Sequence, residues 1–364
     1  MILLAMQSDI LYDLTRGIAV RVHEKEALAL AAELLEQRGV PPARAALQAR
    51  VLVDAELKGH PSHGLQRLPR LLLRIERGLI DPATEGVATW RSNALLEADG
   101  CDGLGPVVAL AALRQAAVRV APMGVVLVAV RNANHLGMLA YYVEEMAAAG
   151  HIAVALSSSE ALVHPHGGRT ALIGTNPIAI AVPAGDGPPL VVDLATSKVS
   201  MGKVHHHAAT GRPLEPGWAK DADGRPTTDA ARARDGAIAP FGEAKGYALG
   251  LALEVLIAAV TGAALAPEVG GTLDADVPCN KGDVFLLIEA RRSPGLAERL
   301  GDYLDLVRRS PADDPAVPVA VPGDGARRRK AAARRSGFDI DPALMATLAG
   351  LSTPAPSLRR GAAR

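Results

Sequence analysis

His63 and Arg67 stand four residues apart in the stretch SHGLQR, residues 62–67. On a helix, that spacing puts two side chains on one face. An imidazole titrates near neutrality, and a guanidinium is a fixed cation that grips a carboxylate as a fork. Together with Ser62 they could hold a small acid and move a proton beside it, although a solvated helix face has the same pattern. His135 is the second candidate. It lies in RNANHLGM, where an apolar strand gives way to a helix, and such loops commonly carry chemistry. Its imidazole could give or take a proton in a hydride transfer, or simply cap the helix.

Other polar groups gather at turns. Asn176 in GTNP (174–177) can hold a tight turn before Pro177, with Thr175 presented beside it. DLATS (193–197) ends an apolar run, and strand ends in α/β sheets tend to face ligands. Lys245 opens a long apolar helix, where its charge opposes the helix dipole, and locally unfavourable residues concentrate at functional sites. His205, His206 and His207 are adjacent, and His164 alternates with His166, but neither group has the ligand spacing of a common metal site. We assign no metal.

Positioning these groups takes a sizeable fold. The chain has 364 residues, enough for two domains, and 49% are hydrophobic but only 3% aromatic. The core must therefore be aliphatic. Lys plus Arg equals Asp plus Glu at 39 each, which gives no electrostatic case for nucleic acid or a membrane surface. Two distant cysteines are not a disulfide framework and fit a reducing cytoplasm. The opening MILLAM lacks a basic flank and is too short for a signal peptide, and no apolar run of 18 residues is free of polar interruptions.

Periodicity predicts helices over 24–38, 43–58 and 62–77, so the first 80 residues read as mostly helical. Strands are expected at 124–130, 151–157, 177–183, 189–195 and 283–290, with helices at 138–149 and 243–262. The basic run 325–336 reads as a solvated helix face, and the last residues as a disordered tail. A Rossmann turn would need G-x-G-x-x-G after the strand at 124–130. RNANHLGM is not that, and the glycines of GCDGLGPV (100–107) have the wrong spacing. P-loop, HExxH and CxxC signals are absent as well.

The order of motifs is more specific than any one of them. SHGLQRLPRLLLRIERG, NANHLGMLAYY, GGRTALIGTNPIAIAVP, DLATSKVSMGK, GWAKDADGRPTTD and PFGEAKGYALGLALEVL together resemble the malate/L-lactate dehydrogenase family of the second, non-Rossmann type, over roughly residues 20 to 345. The resemblance implies an α/β fold with a mixed, largely antiparallel central sheet. It implies a helical domain formed by residues 1–99 with 296–352, a cofactor domain over 100–295, and a tail at 353–364. It implies NAD or NADP as cofactor and a homodimer. By motif, His135 matches the family's general acid/base, His63 the histidine of S-H-G that is also cast as a proton donor, and Arg67 with Ser62 the substrate-carboxylate clamp. Ser159, Thr175, Asn176, Asp193, Leu194, Ala195 and Lys245 match cofactor-contacting positions. The segment SSSEALVHPHGG departs from the family's Asn-Ser-x-Pro run, with Glu160 and His166 as its unusual residues. Asp324 replaces a glutamate in VPGDGARR.

The expected activity is hydride transfer between nicotinamide and a small 2-hydroxy or 2-keto acid. Reduction of a cyclic imino acid is the alternative within the family. A metal-dependent lyase built on the histidine cluster and a non-catalytic cofactor binder are the alternatives outside it.

Overall fold

A computed structural model describes residues 20–290 and 295–352. The tail expected at 353–364 lies outside the described residues. The described residues begin with strand β1 (Val20–Val22), helices α1 (Glu24–Glu36) and α2 (Pro42–Leu57), and helix α3 (Leu68–Glu76). Strands β2 (Val87–Ser92) and β3 (Leu95–Asp99) lead into α4 (Gly105–Met123), β4 (Val125–Arg131), α5 (Ala140–Ala148), β5 (His151–Ser157), β6 (Ile178–Val182) and β7 (Leu190–Leu194). Helix α6 (Met201–Ala209) precedes a small sheet of β8 (Ala219–Lys220), β9 (Pro226–Thr227) and β10 (Ala237–Ile238), with α7 (Ala230–Ala233) beside it. Then follow α8 (Ala244–Thr261), β11 (Gly282–Glu289), α9 (Leu296–Arg308), α10 (Asp324–Ser336), β12 (Phe338–Ile340) and α11 (Pro342–Leu351).

Seven strands form the main sheet in the order β2-β3-β4-β11-β5-β6-β7. Only β3 and β4 run parallel, because α4 returns the chain between them; every other neighbouring pair is antiparallel. Strand β11 is central, with Phe285 opposite Val128 on one side and Ala155 on the other. Burial on both faces explains its unbroken apolar run, whereas β6 alternates, as a strand with one covered face should. The sheet is mixed and largely antiparallel, as expected.

The boundary expected at residue 99 falls inside this sheet. Strands β2 and β3 pair with each other, and β3 continues onto β4 with Leu96 opposite Val128. Leu96 and Ala98 bury one face of β3, so these residues belong with the sheet and not with the helices. Leu34 and Leu52 of the helical part share one continuous core with Val128 and Phe285. The first and last described segments do meet. Val22 pairs with Phe338, Lys330 bonds the buried Asp54 carboxylate, and Arg329 Nε donates to Lys58 O at 2.6 Å. The basic run is thus a docked helix, anchored to α2 by its cations. Asp324 at its start accepts from Arg308 Nε at 2.9 Å and from the Val321 amide at 3.0 Å.

Helix α8 is long and apolar enough to cross a membrane by length and composition. Its inner face instead packs on the sheet, with Leu253 and Ile257 against Leu156 and Val284. The buried Glu254 carboxylate accepts from the amides of Gly174 at 3.0 Å and Ala266 at 2.8 Å, and from Asn176 Nδ2 at 2.9 Å. A mid-helix acid with three donors inside the fold fixes the helix there.

Candidate active site

The stretch 62–77 is not one helix. Two 3₁₀ turns, Pro61–His63 and Leu65–Arg67, precede α3, which starts only at Leu68. Pro69 has no N–H to give and suits only a first helical turn, so the regular helix begins there. Gly64 breaks the chain between the turns. A Cβ at Gly64 would lie 2.3 Å from Glu56 Oε1, and that same oxygen accepts the Leu65 amide at 2.7 Å. Glu56 therefore sits under the turn and sets its path, with burial pushing its carboxyl up to about 7. His63 and Arg67 face one cleft because of this turn, not because of helical spacing.

The loop bearing His135 is locked from below. Arg74, almost fully buried, donates from Nε to Asn134 Oδ1 at 3.1 Å and from Nη1 to Val277 O at 3.0 Å. Asn134 Nδ2 donates to Asp102 O at 2.7 Å. The glycines of GCDGLG have their explanation here. A Cβ at Gly100 would come within 2.6 Å of Asn132 O, and one at Gly105 within 2.2 Å of Asn134 O. They serve close backbone contact with the His135 loop and not a phosphate. Gly105→Ala is expected to cost about 1–3 kcal/mol of stability through overpacking and to displace His135. Thermal unfolding and turnover measured on the same sample check this; an unchanged melting temperature with full activity would contradict it.

A cleft of about 320 Å³ collects Ser62, His63, Arg67, His135, Ser159 and Thr175 from among the residues singled out in the sequence. The rings of His63 and His135 lie 5.7 Å apart, tilted by 37°. Their other surroundings differ. His135 Nδ1 accepts the Gly137 amide at 2.9 Å, so its proton belongs on Nε2. His63 Nδ1 meets Ser62 Oγ at 3.1 Å, and a hydroxyl can serve either tautomer. Neither Nε2 has a hydrogen-bond partner among the described residues. Each ring keeps an open edge towards the cleft but is otherwise surrounded by protein. That burial, aided by Arg67 and His60, pushes His63 down to about 4. Burial, then Arg67, His63, Lys281 and Arg70, hold His135 well below the usual imidazole range.

Arg67 is aimed by two carbonyls: Nε donates to Ser62 O at 2.8 Å and Nη1 to Thr272 O at 3.2 Å. Its outer edge is left for a ligand. Burial lowers its guanidinium to about 10, still fully cationic at neutral pH. Ser159 Oγ accepts the Thr175 amide at 2.9 Å, which ties two cleft walls together.

The remaining expected residues lie elsewhere. Asn176 is fully buried at a φ of 31° behind the cleft, where its Nδ2 also donates to Gly250 O at 3.0 Å. Asp193 accepts the Ala140 amide at 2.7 Å, at the start of α5. Leu194, Ala195 and the exposed Lys245 do not line the cleft. The histidines divide: His205 lines the cleft, His207 bonds Pro213 O, and His164 bonds Pro165 O. No group of three metal-ligating side chains occurs among the described residues.

Among the charged residues lining the cleft, Arg70 and Lys281 escaped the sequence reading and Glu160 was given no role there. Arg70 follows Arg67 by three, a spacing that could have flagged it. Lys281 is buried beside Asp283, bonding Oδ2 at 2.5 Å, and only the strand expected from residue 283 hinted at it. Glu160, noted only as unusual, accepts the amides of Thr272 at 2.9 Å and Leu273 at 2.8 Å, and so closes the 272–273 loop over the site.

The apolar walls of the cleft (Leu136, Leu139, Leu162, Met201) beside the Ser159 and Thr175 hydroxyls suit a flat, partly polar ring. Residues 22–349 match the family model described as malate/L-lactate dehydrogenase. The chain is 37% identical over 313 residues to an L-sulfolactate dehydrogenase of Methanocaldococcus jannaschii, covering 85% of this chain and 90% of that one. It is 37% identical over 286 residues to a (2R)-3-sulfolactate dehydrogenase (NADP(+)) of Chromohalobacter salexigens, covering 75% and 84%. The crystal structure of a dehydrogenase from Sinorhizobium meliloti superposes with a TM-score of 0.90 at 52% identity, covering 93% of this chain and 99% of that one.

Proposed function

This chain belongs to the malate/L-lactate dehydrogenase family, and on that premise we propose how it works as an NAD(P)-dependent oxidoreductase of small 2-hydroxy and 2-keto acids. Bound in the cleft, the nicotinamide supplies the hydride chemistry. Arg67 grips the C1 carboxylate with the edge that Ser62 O and Thr272 O leave free. Ser159 and Thr175, with the apolar wall beside them, hold the nicotinamide end.

One observation divides the two imidazoles: the Gly137 amide donates to His135 Nδ1. An imidazole with that nitrogen occupied can donate from Nε2 but is a poor proton acceptor there. His135 then holds the substrate oxygen by a hydrogen bond, and His63 carries the proton. In oxidation His63 Nε2 takes the hydroxyl proton while Nδ1–H donates to Ser62 Oγ. In reduction the same nitrogen returns a proton to the ketone oxygen. This reverses the emphasis of the motif resemblance, which put His135 first.

The test is oxidation of NADH and of NADPH by the purified protein with pyruvate, oxaloacetate, sulfopyruvate, diketogulonate and cyclic imino acids. Turnover on a 2-keto acid supports the reading and identifies the cofactor. Turnover on imines alone replaces it with the imino-acid alternative.

The pH profile follows from the depressed imidazole. For hydroxy-acid oxidation, kcat/KM is expected to stay level as pH falls through 6.5 and to drop only towards about 4, where His63 protonates. The unfolded chain binds that proton at a higher pH than the native one. The His63 contribution to stability is therefore intact above 6.5, the ordinary imidazole value, and lost as pH falls towards about 4. An acid limb centred near 6.5 would contradict the assignment.

We also infer a homodimer. Helix α8 leaves Leu249, Leu251, Val255 and Leu256 exposed along one helix, and a second copy would cover that face. Light scattering is expected to give twice the chain mass, and Val255→Arg to shift it to monomer. A wild-type monomer at micromolar concentration would contradict this. The two free cysteines, one of them buried, fit a cytoplasmic setting.

A further inference from the structure

Behind the cleft lies a small void of about 10 Å³, with room for one guest of roughly water size. It shares Arg67, Arg70, His135 and Thr272 with the cleft and adds Arg74 and Asn134. Three guanidiniums and no carboxylate line it. Arg74 is the most buried of the three, at 2% exposed. Its Nε donates to Asn134 Oδ1, and its Nη1 to Asp274 O at 3.2 Å and to Val277 O. Its Nη2 is buried and has no hydrogen-bond partner among the described residues. An orphaned donor on a charged group so far from solvent is costly and calls for a partner.

Size alone suits a water or a small ion, and the character of the wall separates them. A water has two hydrogens to give as well as lone pairs to offer. The acceptors on this wall are already engaged: Asn134 Oδ1 by Arg74, Thr272 O by Arg67, and His135 Nδ1 by the Gly137 amide. Charge points the same way. Burial, then Arg70, lowers the Arg67 guanidinium, so these two cations are close enough to repel. Asp274 pairs with Arg74 at 3.9 Å, but it is partly exposed and its oxygens accept the Gly271, Asp276 and Val277 amides. Glu160 is likewise held by the Thr272 and Leu273 amides. The wall offers donors and positive charge to a guest that only accepts.

We propose that this void binds a monatomic halide, held by Arg74 Nη2 together with Arg67 and Arg70. The halide offsets the repulsion among three clustered cations. It ties α3 to the His135 loop and to Thr272, and it leaves the chemistry to the groups already described.

Bromide stands in for chloride because it scatters anomalously. Crystals of the whole chain grown with sodium bromide are expected to show an anomalous peak within hydrogen-bonding reach of Arg74 Nη2. In solution, exchanging gluconate for chloride at constant ionic strength is expected to raise the melting temperature saturably, by about 1–3 °C. Arg74→Gln is expected to abolish that rise. Should Arg74→Gln not fold, Arg70→Gln is expected to increase the half-saturating chloride concentration by about ten-fold. A bromide peak with no saturable effect in solution means an adventitious ion only and overturns the proposal. Density for a water without anomalous signal overturns it too, as does a chloride response unchanged in the variants. Neither readout depends on turnover, so failure of this site and failure of the dehydrogenase reading are told apart.

Discussion

His63→Gln is expected to lower kcat by roughly 10²–10⁴-fold in both directions, the usual contribution of a positioned acid/base. Glutamine keeps the size and a polar end but cannot carry a proton. His135→Gln is expected to lose far less, about ten-fold, because an amide N–H can replace the Nε2–H that His135 offers when Gly137 occupies Nδ1. The pair of variants separates the roles where alanine at either position would not. NADH binding, followed by fluorescence, should change little in either variant. If His135→Gln is the dead enzyme and His63→Gln the active one, the tautomer argument fails and the proton passes through His135, as the motif resemblance first suggests.

Arg67→Ala is expected to cost about 2–5 kcal/mol in kcat/KM, or roughly 30- to 5,000-fold, since it removes a buried charge that pairs with the substrate carboxylate. Arg67→Lys should recover only part of this. A lysine has one ammonium to share among Ser62 O, Thr272 O and the substrate, whereas the guanidinium serves all three from one plane. Free guanidinium in the assay should rescue Arg67→Ala and not the lysine variant, whose ammonium still fills part of the space. A loss confined to kcat, with unchanged KM for every acid, would mean that Arg67 acts elsewhere than on the carboxylate.

Much of the fold was legible because its apolar periods were clean. HIAVALS forms β5 over His151–Ser157, as expected, and α8 spans Ala244–Thr261 inside the expected 243–262. Strands β2 and β3 were not anticipated. VATWRS is mostly exposed and LLEAD buries only two positions, so neither stretch shows a strong pattern on its own. Pairing with β4 is what makes them strands. The site was legible in part for a similar reason. Ser62, His63, Arg67, His135, Ser159 and Thr175 could be picked out by type and motif, and they do converge. Asn176 was picked for the same reasons, but its amide is used inside the protein, on Gly250 O and Glu254.

By itself the sequence determined the aliphatic core, the main strands and helices, the absence of a glycine fingerprint for a dinucleotide and the family through the order of its motifs. These rest on local patterns, and a local pattern survives without coordinates. The tertiary structure decided which groups share a cleft and in what state. Gly64 bends the chain over Glu56, so His63 and Arg67 meet the ligand from two 3₁₀ turns and not from a helix face. Gly137 assigns the His135 proton, and Asp283 neutralises Lys281. The His135 tautomer and the Lys281 charge are set by residues two positions away, but Arg67 is aimed by Thr272, 205 residues along the chain, and only folding brings such groups within hydrogen-bonding reach.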